Sequence, residues 1–277
     1  MISGRPPFTT ILEYRGKVFS IGGDQNEYTI PQFLSTYSNT YGSPEGVTLP
    51  LSKGKNLNNA VSGAKVQELN QQVDRLLHHL KYHHPFQRTK NQWKLITLFI
   101  GANNICVLCT PPITRLPGLA DVDVFDQNIR NTLENLRSQA GKSIVNLVAL
   151  FNISSVYEAS RGNPYCEMVL DPNHMVICSC LQENEESRLA ADLVVHEYNK
   201  RLEKIAQEYF DLHDPHFSVN YQPGFQHFPV AKYKQRYLSK IDCFHPNRCA
   251  NQVMSLVLWN VKYINCINYN GLSLIVN

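Results

Sequence analysis

Residues 94–104 read KLITLFIGANN. The stretch 95–100 is strand-sized and rich in branched and aromatic side chains, and Gly101 ends it. A short polar loop, Ala102-Asn103-Asn104, follows. The same order recurs outward from this point. Upstream, 58–61 is a short strand candidate closing at Ser62-Gly63. Behind it Val66, Leu69, Val73, Leu76, Leu77 and Leu80 share one helical face at 3.6-residue spacing. Downstream, Phe125, Ile129, Leu133 and Leu136 mark a helix, and 144–151 is the next strand. A long amphipathic helix spans 189–209, with Leu189, Leu193, Leu202, Ile205 and Tyr209 expected inward. Then come a strand over 217–222 and a closing helix over 248–263, with Ala250, Val253, Val257 and Val261 on one face. Strands alternating with helices predict an α/β fold with a parallel sheet in a three-layer α/β/α sandwich. Chemistry in such sheets gathers in loops beyond the carboxyl ends of the strands.

The chain has 277 residues, of which 43% are hydrophobic and 18% charged. That is globular composition with enough apolar material for a core, and it excludes a fully disordered chain. No repeat or low-complexity linker interrupts 1–277, so a single domain is expected. The net charge is +3, from 26 basic and 23 acidic residues. So small an excess, without a Lys/Arg stripe, argues against a nucleic-acid partner. No apolar run reaches the roughly 18 residues of a membrane span. The first residues, MISGRPPFTT, contain no apolar segment of signal-peptide length.

Eight cysteines point the other way: Cys106, Cys109, Cys166, Cys178, Cys180, Cys243, Cys249 and Cys266. An even number in loop-like sequence is what an oxidised extracellular domain carries. Cys106-Val-Leu-Cys109 and Cys178-Ser-Cys180 also admit zinc, but no second CxxC or HxxxH stands at finger spacing. Free cytosolic thiols are the third reading. Asn152-Ile-Ser154 is a glycosylation sequon, a pattern common by chance.

Asp242-Cys-Phe-His245 precedes the last helix. A carboxylate three residues before an imidazole can hold one ring nitrogen and leave the other as a general base. Gly63 offers a backbone N–H with no side chain in the way, and Asn103 a side-chain N–H. Two such donors converging on one point make an oxyanion hole, worth about 3–4 kcal/mol per donor in acyl transfer. Each signal is weak alone: D-x-x-H occurs in ordinary turns, strand-end glycines usually turn the chain, and Asn caps helices. Their order along one α/β chain is more informative. Other groupings carry less. His79 and His83, four apart in 78–84, lack a carboxylate to complete a metal site, so a solvated helix end is the better reading. Gly22-Gly23-Asp24 lacks the Lys and helix of a phosphate loop and reads as a turn.

Taken together, Ser20-Ile-Gly-Gly-Asp24, Leu98-Phe-Ile-Gly-Ala-Asn103, Cys106-x-x-Cys109, Asp242-Cys-Phe-His245 and Leu258-Trp-Asn260 resemble the membrane-associated phospholipase B group of GDSL, or SGNH, lipid-ester hydrolases. The resemblance runs from about 14 to 263. It implies a flavodoxin-like α/β/α sandwich, cleavage of fatty-acyl esters in phospholipids and lysophospholipids, no cofactor and no metal. It also implies an extracellular or membrane-associated setting. Carried over, His245 matches the base, Asp242 its orienting carboxylate, and Gly63 and Asn103 the oxyanion donors. Cys106, Cys109, Cys166, Cys178, Cys180 and Cys243 match the family's paired cysteines, which favours disulfides over zinc; Cys249 and Cys266 are extra.

Three departures stand out. The G-D-S block that carries the family's nucleophile lies upstream of S-I-G-G-D, and nothing in the residues before Ser20 forms it. Its strand lies inside the sheet of this fold, so the expectation is an incomplete chain with the first strand missing. Asn104 stands where the family has Asp. The tail 264–277 matches nothing. Ser273, in Gly271-Leu-Ser-Leu, and Ser62 are poor substitutes for the nucleophile, and Cys243 between Asp242 and His245 is expected to point away from them into a disulfide. The main expectation is a phospholipase B-like hydrolase whose attacking serine lies outside this chain. The alternative is a non-catalytic lipid-binding or interaction protein on the same fold, and the third is a cytosolic thiol or zinc protein.

Overall fold

The computed structural model describes residues 2–3, 12–49, 56–109, 118–173 and 176–264. Strand β1 (Ile2–Ser3) pairs antiparallel with β2 (Leu12–Glu13). The main sheet is parallel in the order β3 (Lys94–Leu98), β4 (Ser143–Val148), β5 (Phe217–Gln222). Its register pairs Leu95 with Ile144 and Val145 with Val219. Along β4 the consecutive residues Val145, Asn146, Leu147 and Val148 are all buried. Successive strand residues face opposite sides, so both faces of this strand are covered, as a three-layer α/β fold requires.

In chain order the helices are α1 (Ile30–Leu34), α2 (Leu69–Tyr82), α3 (His84–Gln87), α4 (Ala102–Cys106), α5 (Val122–Gln139) and α6 (Ile153–Ser160). After them come α7 (Pro164–Val169), α8 (Ser179–Gln182), α9 (Glu185–Asp211), α10 (Val230–Tyr233) and α11 (Arg248–Ile264). The periodic stretches become helices as expected. Phe125, Ile129, Leu133 and Leu136 of α5 are fully buried. Asp121 caps this helix by accepting the N–H groups of Asp123 and Val124, a role carboxylates fill well. Asn199 of α9 fastens the helix to the end of β4: it accepts the Leu150 N–H and donates to the Leu150 carbonyl, both at 2.8 Å.

Three expectations need correction. Residues 58–61 form no strand. The first three carbonyls are taken instead by side chains, with Arg15 donating to Asn58 O and Ala60 O, each at 3.0 Å, and Arg75 to Asn59 O at 3.4 Å, while Val61 O accepts the Ala64 N–H at 3.2 Å. A segment without a neighbouring strand must satisfy its backbone this way. The stretch 95–100, which its apolar run predicts to be a buried strand, is half-buried apart from Leu98, and β3 pairs with β4 alone among the described residues. In α9, Leu189 and Leu193 are 55% and 69% exposed, whereas Leu202, Ile205 and Tyr209 are buried as expected. The inward stripe starts from Ala191 and Val195. In α11 Ala250 is buried as expected, but the stripe then shifts by one residue, with Met254 and Leu258 buried and Val253 and Val257 only partly so; Val261 lies outside the residues whose side chains are described.

Six of the eight cysteines are bridged: Cys106 to Cys178, Cys109 to Cys180 and Cys166 to Cys243. Cys249 is a half-buried free thiol. Cys266 and Ser273 lie outside the described residues. Among the described residues no helix is long and apolar enough to cross a membrane.

Candidate active site

The turn after residue 237 is built from local chemistry. The Ser239 hydroxyl accepts the N–H groups of Ile241 at 3.2 Å and Asp242 at 3.4 Å. A Ser three residues before an Asp is a turn signal, and sequence reasoning had passed over Ser239. The turn is closed by a bridge between Leu238 and Pro246 and by Ser239 N–H donating to His245 O at 2.7 Å. Asn247 donates its amide to Arg236 O and Leu238 O at 2.8 and 2.9 Å.

Within this frame Asp242 and His245 meet. Asp242 Oδ2 lies 2.9 Å from His245 Nδ1. Its other oxygen accepts the backbone N–H groups of Phe244 and His245, both at 2.9 Å. The carboxylate therefore cannot rotate, and it holds the ring by one nitrogen. Burial on its own would raise the Asp242 pKa, but the His245 ring and these two N–H donors outweigh it and hold the carboxyl below its ordinary value. Asp242 thus stays charged until the pH falls through that depressed value. The His245 side chain is 39% exposed, so Nε2 is free to face a reactant. Cys243 takes a positive φ of 53° and reaches away to Cys166 on α7, which anchors the turn from the other side.

The oxyanion candidates form a second pair. Gly63 follows the turn at Ser62 with φ +78°, a conformation that glycine adopts freely. Among the described residues no acceptor takes its N–H. Gly101 has φ +122° and turns β3 into α4, placing Asn103 in the first turn of that helix. Asn103 Nδ2 donates to Ala64 O at 3.0 Å, which ties the Asn103 loop to the residue after Gly63. One amide hydrogen is used in this bond and the second remains for a ligand. The two pairs sit on different segments, and of the four residues Asn103 lies just past the carboxyl end of a sheet strand, β3. No hydrogen bond joins them.

Asn104 is fully buried and wholly structural. Its Oδ1 accepts the Val66 N–H at 3.0 Å, and its Nδ2 donates to Gln67 Oε1 at 2.9 Å and to Leu119 O. An Asp could accept from Val66 but could not donate to either oxygen, so the local acceptors match Asn. The Ser62 hydroxyl is bound by the Glu13 carboxylate, itself paired with Arg15, which makes it part of the buried clamp on 58–60. Among the described residues no hydroxyl or thiol is hydrogen-bonded to His245 Nε2.

The other candidate groups are occupied. Gly22, Gly23 and Asp24 donate their N–H groups to Val18, Pro44 and Gly16 carbonyls, so the turn has no donor left for a phosphate. Cys106 and Cys109 are in disulfides and cannot ligate zinc. The rings of His79 and His83 lie 4.6 Å apart, and His79 Nδ1 is 3.1 Å from Asn56 O. Among the described residues no three His, Cys, Asp or Glu side chains gather as a metal site would need.

The family described as GDSL-like Lipase/Acylhydrolase matches residues 20–258. The chain is 30% identical over 266 residues to membrane-associated phospholipase B1 of Homo sapiens, covering 92% of this chain and 18% of that protein. The proteins of the same description from Mus musculus and Rattus norvegicus are each 26% identical, over 263 and 271 residues. They are covered to 17% and 18% of their length, against 90% and 92% of this chain. The chain therefore spans less than a fifth of the curated relatives it matches.

Proposed function

The chain belongs to the GDSL-like lipase/acylhydrolase family, and from that premise we propose that it carries the base and oxyanion parts of a Ser-His-Asp site for fatty-acyl esters of phospholipids and lysophospholipids. In this reading His245 Nε2 accepts the proton of an attacking hydroxyl and later returns it to the leaving alcohol. Asp242 holds the tautomer and stabilises the imidazolium. The Gly63 N–H and the free hydrogen of Asn103 Nδ2 receive the oxyanion of the tetrahedral intermediate. The hydroxyl itself is assigned to the family's G-D-S block, which no stretch of this sequence matches. The observation that carries the reading is the doubly anchored Asp242 carboxylate at 2.9 Å from His245 Nδ1.

The test is to fuse a G-D-S-bearing strand from the human relative ahead of residue 14 and treat the folded fusion with a serine-directed fluorophosphonate. The expected result is labelling at the added serine and lysophospholipid hydrolysis. Both should fall by about 10⁴ in Asp242→Asn, the scale seen when a triad carboxylate becomes an amide. A folded fusion that neither labels nor hydrolyses would overturn the proposal. A second reading, lipid binding without catalysis, draws on the absence of a described hydroxyl at His245. Lysophospholipid binding by the unfused chain, with the fused one remaining inert, would favour it.

A further inference from the structure

The net charge of +3 conceals a local asymmetry. From 215 to 277 the sequence contains one acidic residue, Asp242, against Lys232, Lys234, Arg236, Lys240, Arg248 and Lys262. Four of these cations, Lys232, Lys234, Arg236 and Lys240, fall within nine residues and are exposed. Among the described residues none of the four is in an ion pair. On α9, by contrast, the exposed Lys200 and Lys204 have the carboxylates of Glu197 and Glu208. Helix α6 packs against α10 and the turn 234–236. Its one carboxylate, Glu158, is exposed and pairs with none of the four cations.

The fold holds this cationic segment against the candidate active site. The Arg236 and Leu238 carbonyls accept the Asn247 amide, and Leu238 bridges Pro246, next to His245. In the same segment the Tyr233 ring lies tilted against Tyr237 at 4.9 Å, and Tyr237 against Phe228 at 5.4 Å. The other wall of the turn is mixed: its one acidic side chain, Glu167, is paired with Arg161 at 3.4 Å. Helix α7, joined to the turn by the Cys166–Cys243 disulfide and by Tyr165 Oη donating to Ile241 O at 2.9 Å, presents Met168 47% exposed. Unpaired cations on one wall and an exposed thioether and Tyr on the other suit the headgroup and acyl boundary of a lipid layer.

We propose that Lys232, Lys234, Arg236 and Lys240 form a cationic rim that docks the Asp242–His245 turn onto an anionic lipid surface. This rests on the lipid-ester reading for the choice of a lipid over another polyanion, but it concerns recognition of the surface and not bond cleavage. Each cation near an anionic membrane should strengthen binding by about fivefold at low salt, and screening should erase most of that gain as salt rises.

The test is co-sedimentation of the full chain with vesicles of phosphatidylcholine alone and of phosphatidylcholine with about one-third phosphatidylserine. Tighter binding to the anionic vesicles is expected, reversed by raising NaCl. Lys232→Gln/Lys234→Gln/Arg236→Gln/Lys240→Gln should weaken it at least tenfold. The milder pair Lys232→Gln/Lys240→Gln should show an intermediate loss even if the quadruple variant is poorly folded. Lys200→Gln/Lys204→Gln on α9 should bind like the parent. Equal binding to both vesicles, equal loss in the α9 variant, or retention on duplex DNA matching that on anionic vesicles would overturn the proposal. Binding is read without turnover, so a failed hydrolysis test leaves this inference standing, and loss of anion selectivity leaves the base and oxyanion assignments untouched.

Discussion

Asn104 illustrates how one buried side chain can decide whether a family pattern transfers. Its amide donates to Leu119 O and Gln67 Oε1 while its carbonyl accepts from Val66. Asn104→Asp would restore the family residue but leave two half-buried acceptors facing a carboxylate, of which Leu119 O keeps the Gln67 amide at 3.3 Å. An unmade buried hydrogen bond costs about 1–3 kcal/mol, more with a charge involved. The expected outcome is a lower unfolding midpoint in denaturant with an unchanged slope. An Asp variant as stable as the parent would show that these bonds do not fix the loop. The departure visible in the sequence thus has a local cause, and only the neighbours, 15 to 38 residues away in the chain, reveal it. By contrast Asp242 and His245 could be paired from the sequence, because three residues within one turn leave little geometric freedom.

At the level of elements, periodicity identified the helices, and the choice of buried face needed the fold. In α9 two apolar stripes compete: Leu189 and Leu193 on one side, Ala191, Val195 and Tyr198 on the other. The sheet takes the second, the side on which Asn199 grips Leu150 at the end of β4. Leu193→Gln should therefore change stability by less than about 0.5 kcal/mol, as for exposed positions, while Leu202→Ala should cost about 2–5 kcal/mol. Urea titrations of both variants check this; equal losses would mean that the helix is rotated. The stretch 58–61 misled for a related reason. Its short Ala60-Val61 end before Ser62-Gly63 suggests a strand, but a strand exists only with a partner, and Arg15 and Arg75 occupy the carbonyls of 58–60.

Across the whole molecule, three disulfides fasten the insertions that surround the site. Cys106–Cys178 and Cys109–Cys180 join α4 to the segment at α8, and Cys166–Cys243 joins α7 to the Asp242–His245 turn. Each closes a loop of more than 70 residues, long enough for a stabilisation of about 4 kcal/mol on chain-entropy grounds. Cys166→Ala/Cys243→Ala should lower stability by about 2–4 kcal/mol and increase hydrogen exchange at Phe244 and His245, whose N–H groups are held by Asp242. Unchanged exchange there would mean that Ser239 and Asn247 suffice to hold the turn. The sequence by itself determined the alternation of strands and helices, the family, the cysteines available for pairing and the Asp242–His245 contact. Each depends on neighbours along the chain or on a pattern carried by the chain itself. Tertiary structure alone decided the cysteine partners, the phase of α9 and α11, and the loop state of 58–61. Those outcomes depend on which distant groups compete for the same face or the same carbonyl, and such competition is resolved only when the chain is closed on itself.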